Sequence, residues 1–151
     1  MECYLNGELT VFADEETIDK LKEVFYDGDD VLDEYTFEEY EVEISEDRTS
    51  IKIQFDESYE LFRTTDTPED IMNFVICLKD SFPSISSFVF EGTIDFLSSG
   101  EHSIFICGFD GNKATFKTCD YDEDNEEPSD NWYICTDLIK VIEKIFKKQK
   151  R

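Results

Sequence analysis

Glu39-Tyr40-Glu41-Val42-Glu43-Ile44 alternates acid with bulk, and Ile51-Lys52-Ile53-Gln54-Phe55 alternates again a few residues later. A period of two puts Tyr40, Val42 and Ile44 on one side of an extended chain and Glu39, Glu41 and Glu43 on the other. The second run buries Ile51, Ile53 and Phe55 and turns Lys52 and Gln54 outward. Glu46-Asp47-Arg48-Thr49 joins them, so the pair predicts an antiparallel hairpin with strands at about 37–45 and 50–56. One face of such a hairpin needs a core, and the other shows water a row of carboxylates. Lys52 is placed to pair with one of the glutamates across it.

The rest of the chain supplies that core. Residues 2–12 (ECYLNGELTVF) read as strand, with Asn6-Gly7 either a tight hairpin turn or a bulge in a single strand. Asp14 is an N-cap, and Ile18, Leu21 and Phe25 at helical spacing predict a helix over 15–25. A short strand at 59–63 extends the meander. Thr67-Pro68-Glu69-Asp70 starts a second helix, whose stripe of Ile71, Phe74, Val75, Leu78 and Phe82 is widened by Met72 and Ile76. Strands follow at 86–91, 93–97, 103–109 and 113–119, with Asp110-Gly111 as a hairpin signal. Trp132, Tyr133 and Ile134 form a short last strand. From Thr136 a third helix turns Leu138, Ile139, Ile142, Ile145 and Phe146 inward. The expected fold is α+β: a mostly antiparallel sheet of about six to eight strands with three helices packed on it, in one compact domain over 1–151.

Charge is the other strong signal. The chain has 151 residues, 38 of them acidic and 14 basic, for a net charge of −24. Glu23 to Asp47 carries twelve carboxylates and no Lys, Arg or His, and Asp120 to Glu127 is a second acidic run. Residues 140–151, in contrast, hold six basic groups and one acid. With 14 Phe and 15% aromatic residues this is not a solvated acidic tail. Self-repulsion on this scale disfavours compactness, and solubility needs far less charge. An anionic surface repels nucleic acid and anionic membrane, so neither is expected to bind directly. The expected partner is a basic protein.

Residues that would carry catalysis are sparse. The five cysteines include no CxxC pair and no leader-like segment opens the sequence, so reduced thiols and a cytoplasmic setting are expected. His102 and Cys107 are an odd number of residues apart on a strand, which puts them on opposite faces. The segment Gly100–Ser103 reads as an exposed turn. Asp120, Asp122 and Asp124 copy the first ligands of a calcium-binding loop. However, Asn125, Pro128 and Asn131 occupy positions where that loop needs Gly, a ligand and a bidentate Glu. No enzyme, metal or cofactor is expected.

What remains is an acidic docking surface. Its expected residues are Asp29, Asp30, Asp33, Glu34, Glu39, Glu41 and Glu43 in the first segment and Asp120, Asp122, Asp124, Glu126 and Glu127 in the second. Tyr35 and Tyr121 are the aromatic anchors. The expected function is inhibition. The acidic face would occupy the basic surface of a nuclease or other DNA- or RNA-binding protein, as phage anti-defence proteins (anti-CRISPRs among them) and toxin-immunity proteins do. The alternative is a non-catalytic interaction module whose acidity reflects solvation or adaptation to a salty host.

Overall fold

The computed structural model describes residues 3–27, 40–59, 67–96, 101–122 and 132–147. Strand β1 (Cys3–Phe12) is followed by helix α1 (Glu15–Asp27), strands β2 (Tyr40–Ile44) and β3 (Ser50–Tyr59), and helix α2 (Thr67–Ser81). Strands β4 (Ser87–Phe96), β5 (Glu101–Phe109), β6 (Ala114–Asp122) and β7 (Tyr133–Ile134) come next, and helix α3 (Thr136–Lys147) closes the described chain. The seven strands form one sheet in the order β2-β3-β1-β4-β5-β6-β7. All its pairings are antiparallel.

The period-two pattern decides which face is covered. Leu9 lies opposite Ile53 on one side and Phe90 on the other, and the row continues through Cys107 to Phe116. All five are essentially inaccessible to solvent. Leu5, Val11, Ile51, Phe88, Ile94, Phe105 and Phe109 extend the same apolar face. The three helices lay their stripes on it: α1 over β2 and β3, α3 over β5 and β6 and beside α2. Phe74 of α2 reaches Phe90 with ring centroids 5.5 Å apart. Burying each such ring stabilises by about 1.5–3 kcal/mol.

Several local expectations hold and several shift. Asp14 caps α1, accepting the Thr17 N–H at 2.8 Å. The Thr17 hydroxyl and N–H hold its carboxyl below the ordinary aspartate value. Asp110 Oδ1 accepts the N–H groups of Asn112 and Lys113 at 2.8 and 2.7 Å, closing the β5–β6 turn. Asn6-Gly7 neither turns nor bulges β1, whose register with β4 runs on without a break. The β1–β3 register slips between Leu5 and Gly7 because β3 carries the extra residue, Asp56 and Glu57 standing against Asn6. The two strands expected at 86–91 and 93–97 are one strand, because Gly92 pairs with Gly7 rather than turning the chain. Strand β5 begins at Glu101, so the expected exposed turn at 100–103 is strand from 101 on, and Ser103 is buried. Strand β6 runs to Asp122, three residues into the second acidic run. Tyr59 ends β3, and the rest of the strand expected at 59–63 lies outside the described residues.

Lys79, on the last turn of α2, is 6% exposed. Its ammonium donates to the carbonyls of Pro83 at 2.6 Å and Ile85 at 2.8 Å and lies 4.8 Å from the Phe146 ring centroid. It thereby ties the turn after α2 to α3. Lys79→Met is expected to cost about 2–4 kcal/mol in urea unfolding at neutral pH, since two acceptors lose a charged donor. Burial also holds the amine below the ordinary lysine value. The unfolded chain therefore keeps this proton to higher pH than the folded one. The wild type should gain stability as pH rises from that depressed value towards about 10.4. The methionine variant should lose this alkaline gain.

Candidate protein-binding surface

The face of the sheet opposite the helices carries the outward half of every strand. Register places Glu41, Gln54, Glu8, Glu91, Ile106 and Lys117 in one row across it. The neighbouring row is Glu43, Lys52, Thr10, Val89, Gly108 and Thr115. Glu41, Glu43, Val89 and Glu91 are exposed. Glu41 and Glu43 stand about 6.8 Å apart along β2, at the edge of the described sheet.

Lys52 pairs differently from expectation. Its ammonium meets Glu8 of β1 at 3.1 Å, while Glu43, directly across the hairpin, acts only through its field. The Glu8 carboxylate, with Glu43 on the other side, holds Lys52 above the ordinary lysine value. Arg48, at the hairpin turn with φ of 58°, reaches the first turns of α1, pairing with Glu15 at 3.2 Å and with Asp19. The turn's base is thus engaged with α1 rather than with the β2 acids.

The two acidic segments are not brought together along their strands. Glu41 and Glu43 lie on β2, and Asp120, Tyr121 and Asp122 pair through their backbones with Ser103, His102 and Glu101. Four strands separate β2 from β6, roughly 24 Å at ordinary strand spacing. Extended strand at 120–122 also differs from the first turn of a calcium-binding loop. Asp29, Asp30, Asp33, Glu34, Tyr35, Glu39, Asp124, Glu126 and Glu127 lie outside the described residues. The side chains of Asp120, Tyr121 and Asp122 do as well.

His102 and Cys107 fall on opposite faces. Cys107 is buried between Phe90 and Phe116 in register, and burial pushes its thiol far above the ordinary value, leaving no thiolate for nucleophilic chemistry. His102 faces outward and shares a hydrogen bond through Nδ1 with Asp95 of β4, which Asn6 Nδ2 also approaches at 3.5 Å. This orienting carboxylate was not visible in the sequence. The pair fastens β4 to β5 at the end of the sheet. An open cavity of about 540 Å³ lies where the start of α2 faces the β7–α3 corner, with Glu69 and Asp137 adding negative charge to its lining.

Sequence reasoning missed Glu8 and Glu91. Each alternates with a buried neighbour, Leu9 or Phe90, so its outward direction was legible. Their adjacency required the order of the strands. Comparisons with protein-family models, curated proteins and solved structures found no match.

Proposed function

We propose that the protein is an acidic inhibitor that docks on the basic nucleic-acid-binding surface of a nuclease or another DNA- or RNA-binding protein. Such an activity is of the phage anti-defence or toxin-immunity type. The observation that carries this reading is β2, at the edge of the described sheet, whose exposed Glu41 and Glu43 form no ion pair among the described residues while Lys52 turns to Glu8. A net charge of −24 adds a long-range field that speeds encounter with a cationic surface. Carboxylates spaced at about 6.8 Å are sparser than duplex phosphates. The match is therefore to a basic channel in general and not to a base sequence.

The test is a pull-down from lysate with a salt step and identification of what elutes. A nuclease or nucleic-acid-binding protein released at about 300–500 mM salt is the expected outcome, as screening removes the attraction. Reversing both acids (Glu41→Lys with Glu43→Lys) is expected to slow association with that target by about tenfold at low salt and to change dissociation little. Binding that is unchanged between 50 and 500 mM salt would refute the reading.

A second reading has its own support. Tyr133 and Ile134 on β7 are 70% and 53% exposed, an apolar corner suited to a non-inhibitory interaction module. In that case Tyr133→Ala would abolish capture and the β2 reversal would leave it intact.

A further inference from the structure

The open face has a centre of its own, distinct from the acidic edge. Glu8 and Glu91 stand directly opposite each other on β1 and β4, the inner strands of the sheet. Like charges in that relation destabilise a sheet. Lys52 relieves Glu8 from the far side. The base in their own row, Lys117, lies beyond Ile106 with its ammonium 4.9 Å from the Trp132 ring centroid. Beside this pair Val89 is 43% exposed although it sits on an inner strand, and Gly108 next to it in register leaves the surface low. Acid and apolar groups therefore share one patch that no described helix covers.

We propose that this patch seats a basic amphipathic segment of a protein partner, its cations between Glu8 and Glu91 and its apolar groups on Val89 and Ile106. The inference rests on the reading above that the partner is a basic protein. Charge complementarity selects the occupant. A second copy of the chain, with the same net charge of −24, would be repelled. The chain's own basic helix, α3, is committed to the other side, against β5, β6 and α2. Nucleic acid and anionic lipid are repelled.

The probe is a synthetic amphipathic helical peptide of lysine, arginine and leucine, titrated into the ¹⁵N-labelled full chain at 50 mM salt. Shift changes are expected to cluster at Glu8, Val89, Glu91 and Ile106. Glu91→Lys and Val89→Ala are each expected to weaken binding about tenfold. Glu23→Lys, the same charge change on the exposed surface of α1, should weaken it less than about twofold, since screening confines the effect to near neighbours. Glu91→Lys should melt no lower than wild type, because it removes a like-charge contact. No binding, shifts mapping elsewhere, or equal losses for Glu91→Lys and Glu23→Lys would overturn the inference. The two proposals fail separately. If a basic target is captured and the open-face variants bind it as wild type does, the inference falls and the inhibitor reading stands. If no basic target emerges but the peptide still maps to this patch, the reverse holds.

Discussion

Gly92→Ala is expected to destabilise the protein by at least about 3 kcal/mol, a large share of the roughly 5–15 kcal/mol that holds a domain of this kind together. Gly92 faces Gly7 in the β1–β4 ladder. A Cβ on Gly92 would collide with the carbonyl oxygen of Asn6 and sit 2.8 Å from the Cα of Gly7. Both obstacles are backbone in an inner strand, so neither can rotate away. The strands would have to part along a ladder that runs from Cys3 to Phe12. Urea unfolding measures this directly. Gly111→Ala is the control, since Gly111 has φ of 100° with nothing within 4 Å of a built Cβ. That variant should lose only the left-handed backbone preference, about 1–2 kcal/mol. Gly7→Ala added to Gly92→Ala should cost little more, because the first substitution already opens the contact. A Gly92→Ala protein within about 1 kcal/mol of wild type would show that β1 and β4 separate freely.

Phe90→Ala should cost about 3–5 kcal/mol. Phe90 is wholly buried, and its ring lies 4.9 Å from Phe105, 5.5 Å from Phe74 and 6.2 Å from Phe55. These neighbours come from β5, α2 and β3, so one side chain fastens helix layer and sheet together. Truncation removes the transfer free energy of the ring and leaves a cavity whose walls are held by separate elements. Val89, its neighbour on the strand, points the other way and is 43% exposed. Val89→Ala should change stability by no more than about 0.5 kcal/mol. That same variant is expected to lose the basic peptide. Adjacent residues on β4 thus divide between stability and binding, and the two substitutions measured side by side test the division. A Phe90→Ala loss below about 1.5 kcal/mol would show that the four-ring cluster collapses around the gap.

Much of this arrangement was legible in the residues. The alternation from Tyr40 to Phe55 specified a hairpin with one wet face, because side chains on a strand change sides at every residue wherever the strand lies. The stripe from Ile71 to Phe82, the cap at Asp14 and the turn at Asp110 were equally local, and each stands as read. Three errors of secondary structure share one cause. Gly92 looked like a break, and 101–103 and 120–122 looked like turn or loop, because small and acidic residues disfavour strands in isolation. Ladder partners overrode those preferences. Gly92 fits because Gly7 lies opposite, and Asp120 to Asp122 are extended because β5 runs alongside.

The sequence by itself determined the class of the fold, the identity of the core and the sign of the surface. Periodicity, apolar content and charge are sums over near neighbours, so one chain suffices to read them. The tertiary structure alone decided which acids are neighbours. It paired Lys52 with Glu8, set Glu8 against Glu91, kept β2 apart from β6 and gave His102 its carboxylate. The widest of those contacts, Glu8 against Glu91, joins residues 83 positions apart in the chain. Such contacts depend on strand order, which follows from closing long loops over a common core.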